Sequence, residues 1–127
     1  MKLREVLHGA PVTALPSEAA GVAWERMITQ RVDHLVVVHG GRVVGVISRS
    51  DLRGPAGGRS RRMGRTVGDL MQSSVVTATP ATSVRRAVAL MGRHRVGSLP
   101  IVERGKLVGI VTVWDMLALL QRQLDAR

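Results

Sequence analysis

One stretch of the chain occurs twice, 64 residues apart. The segment from Gly41 to Asp51 returns as the segment from Gly105 to Asp115, with the same glycines, similar apolar residues and the same final aspartate. Over the longer window Val12–Asp51, 14 of 40 positions are identical to the residue 64 places later, where about 3 would match by chance. Halves this small cannot bury their own apolar faces well. We therefore expect the two repeats to pack on each other, with their interface as the natural place for a ligand.

The composition indicates a compact domain with an aliphatic core. Of the 127 residues, 45% are hydrophobic, yet there is no Phe or Tyr and there are two Trp. No cysteine is present, which excludes a disulfide framework and a cysteine nucleophile and is typical of a reducing compartment. The sequence predicts neither a signal peptide nor a membrane span, so we expect a cytoplasmic protein with no membrane partner.

The formal net charge of +10 favours anionic partners such as nucleotides, nucleic acids or acidic proteins. Nucleic acid is possible but not favoured, because the sequence has no zinc-finger spacing, no stacking aromatic pair and no basic zipper. Residues 54–65, between the repeats, are rich in Gly and Arg and are predicted to be a mobile linker. Its candidates for phosphate contact are Arg59, Arg61, Arg62 and Arg65, although such a charge run is usually a solvated loop.

Each repeat predicts the element order β-α-β-β-α. The first long helix is expected to begin at an N-cap Ser17, and its counterpart at Thr82 or Ser83. The final segment Val113–Leu124 should form the longest helix. Short apolar runs closed by glycine-containing turns predict two hairpins, with strands at Leu35–Val38, Val43–Ile47, Leu99–Val102 and Leu107–Val111.

The predicted fold class is α/β (α+β), with two pseudo-two-fold-related β-α-β-β-α units packed through their sheets. Short, continuously apolar strands are typical of sheets covered by helices. Short helices are expected to open the repeats at Lys2–Leu7 and Val67–Met71. The resulting division is residues 1–53 for the first unit, 54–65 for the linker and 66–127 for the second unit.

Both repeats place a hydroxyl residue and an aspartate at the junction of the last strand and the last helix, as Ser48-Arg-Ser-Asp51 and Thr112-Val-Trp-Asp115. Free backbone N–H groups at a helix start favour an anion. The hydroxyl can donate to a phosphate oxygen, and the carboxylate can accept from both hydroxyls of a ribose. The same spacing is also close to a capping box, which needs no ligand. From the spacing alone, both interpretations stay open.

The chain resembles a tandem pair of CBS domains, the regulatory module named after cystathionine β-synthase. The family pattern Gly-apolar-x-Ser/Thr-x-x-Asp is matched at 45–51 and at 109–115. Val12-Thr13 with Pro16, Val76-Thr77 with Pro80, and the strand entry 95–102 also match, while the entry 31–38 is a looser version. The resemblance covers nearly the whole chain outside the linker, and the double pattern is specific.

The resemblance implies two related clefts that bind adenosine nucleotides or S-adenosyl compounds. Each cleft in the family joins the Ser/Thr-x-x-Asp of one repeat to the strand entries of the other, with Asp on the ribose, the hydroxyl on phosphate and Val lining the base. One site would use Ser48, Asp51, Thr77, Val96, Gly97 and Ser98. The other would use Thr112, Asp115, Thr13, Val32, Asp33 and His34.

The two implied sites differ in charge, because Asp33 stands where the other site has Gly97. A carboxylate there would repel phosphate unless it points away, so the Ser48/Asp51 site is expected to bind anions better. Trp114 could stack on a base or pack, whereas Trp24 is expected to serve as a core or dimer contact.

Catalysis has no candidate machinery in this sequence. It contains no nucleophile elbow, no Walker loop and no paired carboxylates. The histidines at 8, 34, 39 and 94 have no metal-ligand spacing, so no metal site is predicted. We therefore predict a regulatory, nucleotide-binding module and not an enzyme.

This module would need no cofactor, and its regulatory ligand would be AMP, ADP, ATP or S-adenosylmethionine. The resemblance further implies a homodimer and an unknown protein effector. An alternative is a nucleic-acid or acidic-protein adaptor that uses the Arg-rich linker and has no small-molecule ligand.

Overall fold

The computed structural model describes residues 1–7, 9–55 and 58–126. The chain forms two compact units. Unit I is the continuous segment Pro11–Val75, and unit II combines Met1–Ala10 with Val76–Arg127. These boundaries differ from the expected division at residues 53 and 66, because the opening segment of each repeat packs in the unit of the other repeat.

Unit I contains a three-stranded sheet of order β1-β2-β3. The first two strands are parallel, and β2 and β3 form an antiparallel hairpin. Its elements are β1 Thr13–Ala14, α1 Ala20–Gln30, β2 His34–His39, β3 Arg42–Ser48, α2 Arg49–Arg53, α3 Arg59–Arg62 and α4 Val67–Leu70. The predicted order β-α-β-β-α is confirmed for this repeat. The short helix predicted at Val67–Met71 is present as α4, whereas α3 was not predicted.

Unit II repeats the arrangement. Its antiparallel hairpin joins β4 and β5, and the first strand is reduced to a parallel bridge between Ala78 and Ile101. Its elements are a 3₁₀ turn at Leu3–Glu5, α5 Val84–His94, β4 Ser98–Glu103, β5 Lys106–Thr112 and α6 Val113–Asp125. The final helix is the longest in the described chain, as the sequence predicted.

The offset of 64 residues is kept in the backbone geometry. Each hairpin shifts register at the same place, between Val37 and Val38 in unit I and between Ile101 and Val102 in unit II. The helices α1 and α5 both end at an arginine in the left-handed conformation. Together with the hairpins, these matches confirm that both repeats are copies of one α/β unit.

In each unit, the segment that opens the other repeat packs against a glycine on the last strand. A Cβ at Gly45 would lie 2.6 Å from Met71 Sδ, and a Cβ at Gly109 would lie 2.9 Å from Leu7 Cδ2. Met71 follows α4, and Leu7 follows the 3₁₀ turn, again 64 residues apart. Close packing against a strand therefore explains why each unit retains a segment that the repeat pattern assigns to the other repeat.

Aliphatic residues and small alanines fill both cores, as the composition predicted. In unit I the sheet and α1 bury residues such as Met27, Leu35 and Ile47 completely. In unit II, Leu3, Leu99 and Ile101 are likewise fully buried. Trp24 is half-buried at the edge of the unit I core.

Three local expectations differ from the structure. The N-cap of α1 is Ala19 and not Ser17, because the Ala20 N–H donates to the Arg65 carbonyl at 2.9 Å and needs no side-chain cap. Ser83 caps α5 as expected. The opening helix expected at Lys2–Leu7 is only a 3₁₀ turn, and the segment expected as a linker contains α3.

Candidate functional site

The Ser48/Asp51 pair closes a complete capping box at the start of α2. Ser48 N–H donates to Asp51 Oδ2 at 2.9 Å, and Asp51 N–H donates to the Ser48 hydroxyl at 3.1 Å. The remaining carboxylate oxygen, Oδ1, accepts from the side-chain amide of Gln72 at 3.0 Å. Both oxygens of Asp51 are therefore already engaged.

The Thr112/Asp115 pair makes the equivalent box at the start of α6. Thr112 donates to Asp115 Oδ2 from its N–H at 2.7 Å and from its hydroxyl at 3.1 Å. Asp115 N–H donates to the Thr112 hydroxyl at 3.3 Å. Within the described part of the chain, Asp115 Oδ1 accepts no hydrogen bond. Each motif therefore forms its own capping box, and the two differ in whether the second oxygen of the aspartate is free to accept a hydrogen bond from a ligand.

In unit I, the strand entry 32–34 lies beside the Ser48 motif. His34 pairs with Ser48 across the hairpin, and Arg49 N–H donates to the Asp33 carbonyl at 3.0 Å. The Arg49 guanidinium also forms an ion pair with the Asp33 carboxylate at 3.0 Å and donates to the Val32 carbonyl. The Asp33 carboxylate, which we expected to repel phosphate, is therefore paired with a guanidinium of its own unit.

In unit II, the strand entry 96–98 lies beside the Thr112 motif in the same way. Ser98 pairs with Thr112, and Val113 N–H donates to the Gly97 carbonyl at 3.0 Å. Gly97 is exposed, whereas Ser98 is only 6% exposed and Val96 packs against the core.

Thr13, the first residue of β1, and its counterpart Thr77 contribute differently in the two units. The Thr13 carbonyl accepts from Arg26 Nη1 at 2.9 Å, and Arg26 also pairs with Glu18. The Arg26 hydrogen bond holds the pKa of the Glu18 carboxyl below its ordinary value. Thr77, the counterpart of Thr13, is exposed. Each predicted site combines residues of both units, so its assembly stays a prediction.

Three of the four candidate phosphate-binding arginines donate to backbone carbonyls. Arg61 Nε donates to the Asp51 carbonyl at 2.6 Å, and Arg62 Nη1 donates to the Leu52 carbonyl at 3.3 Å. Arg62 also lies over the Trp24 ring, 4.2 Å from its centre. Arg65 Nη1 donates to the Arg61 carbonyl at 2.7 Å, and Arg59 is exposed. The segment therefore satisfies the last carbonyls of α2.

Sequence reasoning missed Gln72 and Arg49 as neighbours of the candidate sites. Arg49 fills a variable position of the Ser48–Asp51 motif, and Gln72 lies outside every recognised motif; each reaches its partner across a hairpin or a strand pairing. The position of Arg49 inside the motif was visible in the sequence, whereas nothing in the pattern singled out Gln72.

Among the residues that the structure describes, no group of three or more His, Cys, Asp and Glu side chains could hold a metal ion. His8, one of the histidines considered in the sequence, lies outside the described residues. None of the described helices has the length and apolar character that crossing a bilayer requires.

Comparison with known proteins links this chain to both enzymes and small proteins. A CBS domain-containing protein of Bacillus subtilis, YhcV, is 34% identical over 117 residues, which is 90% of this chain and 81% of that protein. Inosine-5′-monophosphate dehydrogenase of Thermoplasma acidophilum is 29% identical over 83% of this chain. The chain spans only 21% of the dehydrogenase's length.

Solved structures share the fold over almost the whole chain. The CBS domain pair of protein MJ0100, in complex with 5′-methylthioadenosine and S-adenosyl-L-methionine, has a TM-score of 0.86 at 24% identity. It covers 97% of this chain, which in turn covers 98% of it. A CBS domain of a membrane protein from Sphaerobacter thermophilus has a TM-score of 0.80 at 29% identity, covering 94% of this chain and 87% of that domain.

The family model for the CBS domain matches residues 3–54 and 67–122, which are the two repeats. The match covers most of the chain and recurs at the spacing that the sequence and the backbone both show. The chain belongs to the CBS domain family, as a tandem pair.

Proposed function

We propose that this CBS pair is a regulatory sensor that binds an adenosyl compound and signals to a protein effector. The tandem family match and the conserved geometry of the two Ser/Thr-x-x-Asp motifs support this proposal. The solved pair with the same fold carries 5′-methylthioadenosine and S-adenosyl-L-methionine. The proposal includes no reaction, and the cytoplasmic location expected from the sequence stays a prediction.

The proposed sites are the two implied by the family pattern. In each, the aspartate accepts from the ribose hydroxyls and valine lines the base. The first comprises Ser48, Asp51, Thr77, Val96, Gly97 and Ser98, and the second comprises Thr112, Asp115, Thr13, Val32, Asp33 and His34. S-adenosylmethionine and methylthioadenosine are the first candidates as ligands, and AMP, ADP and ATP follow because the chain is strongly basic.

The observation that carries the proposal is the open oxygen of Asp115. One oxygen of this carboxylate is used by the capping box, and Oδ1 accepts no hydrogen bond from the described residues. A carboxylate held rigidly by one oxygen presents the other in a fixed direction, which suits a ribose hydroxyl. We therefore assign the stronger ribose interaction to Asp115, although the charge of Asp33 favoured the Ser48/Asp51 site for anion binding.

The experiment is calorimetric titration of the protein with S-adenosylmethionine, methylthioadenosine, AMP, ADP and ATP. Asp115→Asn keeps an acceptor for the capping box and replaces the other oxygen by a donor, so it should weaken binding at least tenfold while the protein stays folded. Asp125→Asn, at the exposed end of the same helix, is the matched control and should bind as the wild type does. Unchanged binding in Asp115→Asn, or no binding to the wild-type protein, would contradict the proposal.

For the protein to act as a sensor, the ligand must bind two of its conformations with different affinity. A ligand that binds both conformations equally well does not shift the equilibrium between them. Hydrogen exchange of the protein with and without ligand measures this directly. We expect altered protection beyond the residues that touch the ligand. Protection changes confined to the binding residues would leave a ligand-binding protein without a signalling role.

We also propose that the chain forms a homodimer through α6. Four side chains spaced by four, three and four residues form one apolar stripe along this helix, and they are 39–64% exposed: Val113, Leu117, Leu120 and Leu124. Three of these side chains, Val113, Leu117 and Leu120, line a groove of about 870 Å³ together with residues of α5, and Arg85 is the single charged side chain among the described residues that line it.

The charge distribution supports a second copy of the chain as the occupant of this groove. Two chains of net charge +10 repel each other, and a nearly uncharged face is where they can approach most closely. Spacing by three and four residues is also the pattern that pairs helices. Leu117→Glu should convert a dimer to a monomer in sedimentation equilibrium, whereas Ala118→Glu, on the other side of the helix, should not. A monomeric wild-type protein would refute this assignment.

The nucleic-acid adaptor is not proposed, since no specific contact favours it. Arg61, Arg62 and Arg65 already donate to carbonyls of their own unit.

A further inference from the structure

The side-chain amide of Gln72 occupies the one oxygen of Asp51 that the capping box leaves open. Gln72 Nε2 donates to Asp51 Oδ1 at 3.0 Å, while Oδ2 accepts the Ser48 N–H at 2.9 Å. The corresponding Asp115 Oδ1 in unit II accepts nothing from the described residues. The two copies of the motif therefore differ in whether a side chain of the protein itself already engages the second oxygen.

The backbone holds Gln72 in this position. Gln72 N–H donates to the Val46 carbonyl at 2.9 Å, and Val46 N–H donates to the Gln72 carbonyl at 3.0 Å. The preceding Met71 packs against Gly45 on the same strand. The contact with Asp51 therefore starts from a fixed backbone and requires only one side-chain conformation of Gln72.

The side chain itself is free to leave. Gln72 is exposed, and its amide can rotate away from Asp51 without moving the backbone. A hydrogen bond to a carboxylate is stronger than one between neutral groups, but exposure to water reduces its net value. A ligand hydroxyl can therefore replace the amide, and the exchange costs the ligand part of its affinity.

We propose that Gln72 is a specificity-determining residue of the Ser48/Asp51 site, where its amide competes with the ribose hydroxyls for Asp51 Oδ1. This inference rests on the proposed function, in which Asp51 binds the ribose. It makes the Ser48/Asp51 site the weaker of the two. Ligand would fill the Thr112/Asp115 site first, and the Ser48/Asp51 site would respond only at higher concentration.

The test compares adenosine with 2′,3′-dideoxyadenosine, which lacks the hydroxyls that compete with the amide. Titrations use the full chain carrying Asp115→Asn, so that binding reports on the Ser48/Asp51 site. Adding Gln72→Ala should tighten adenosine binding about fivefold, the value of one exposed hydrogen bond to a charged group. The same change should leave the affinity for dideoxyadenosine unaltered. Ser73→Ala, an exposed neighbour, is the matched control and should alter neither affinity.

The outcomes separate this inference from the proposed function. The role of Gln72 is refuted if Gln72→Ala leaves the affinity for adenosine unchanged, lowers it, or changes the affinities for adenosine and dideoxyadenosine equally. The Ser48/Asp51 site itself still stands in that case if Asp51→Asn abolishes binding. If neither the wild-type protein nor any variant binds adenosine, both are refuted. Tightening for adenosine alone supports both, because a purely structural effect of Gln72 would act on both ligands.

Discussion

Replacing Gly45 by alanine is expected to destabilise the protein by about 2 kcal/mol. The added Cβ would lie 2.6 Å from Met71 Sδ and 2.9 Å from the Gln72 carbonyl oxygen, where ordinary contacts are about 3.5–4 Å. The Met71 side chain can rotate away. The carbonyl cannot retreat as easily, because it accepts the Val46 N–H at 3.0 Å. Overpacking of this kind costs about 1–3 kcal/mol.

Two further glycines provide matched comparisons. At Gly109 the Cβ would meet only the flexible end of Leu7, at 2.9 Å, so Gly109→Ala should cost about 1 kcal/mol. At Gly92, inside α5, nothing lies within 4 Å, and alanine should stabilise the protein by up to about 1 kcal/mol.

Urea denaturation of the three variants measures these differences directly. Thermal unfolding should agree, with Gly45→Ala melting about 8 °C below the wild-type protein. A Gly45→Ala variant as stable as the wild type would show that Met71 and Gln72 do not pack on β3 as described, and a larger loss in Gly109→Ala would show that the side chain of Leu7 yields less easily than we expect.

Two other changes test contacts near the candidate sites. Glu18→Gln should lower the free energy of unfolding at pH 7 by about 0.5–1 kcal/mol, since the carboxylate pairs with Arg26. Because this interaction lowers the folded-state pKa of Glu18, its contribution is complete above the ordinary value of 4.5 and is lost as the pH falls through the lowered pKa; a pH-independent difference in urea titrations would argue against it. Arg62→Ala should cost about 1 kcal/mol by removing the contact with the Trp24 ring and a backbone hydrogen bond, whereas exposed Arg59→Ala should cost almost nothing. Equal stability of the two arginine variants would contradict this assignment.

The sequence predicted those parts of the fold that depend on local patterns. The four hairpin strands follow from short apolar runs closed by glycine turns, and the capping boxes at Ser48 and Thr112 follow from spacing alone. Repetition made these predictions stronger, because each pattern occurred twice.

Predictions failed where a distant partner decides the structure. Ser17 resembled a helix cap, but the Arg65 carbonyl, far along the chain, satisfies the first N–H of α1. The arginines at 61 and 62 resembled a solvated charge run, but they bind carbonyls at the end of α2. Gln72 reaches Asp51 only because its backbone pairs with Val46, a pairing that no local pattern encodes.

Each compact unit contains the opening segment of the other repeat, so a fragment that follows the repeat boundaries does not contain a complete unit. Unit I is the uninterrupted segment 11–75, so a gene fragment with these ends would encode all of its strands and its covering residue Met71. A fragment that starts at residue 66 would carry Met71 without Gly45 and would lack Leu7, which covers Gly109. Circular permutation of this chain to begin at residue 11 would instead make both units continuous, so that each compact unit would be one uninterrupted stretch of sequence.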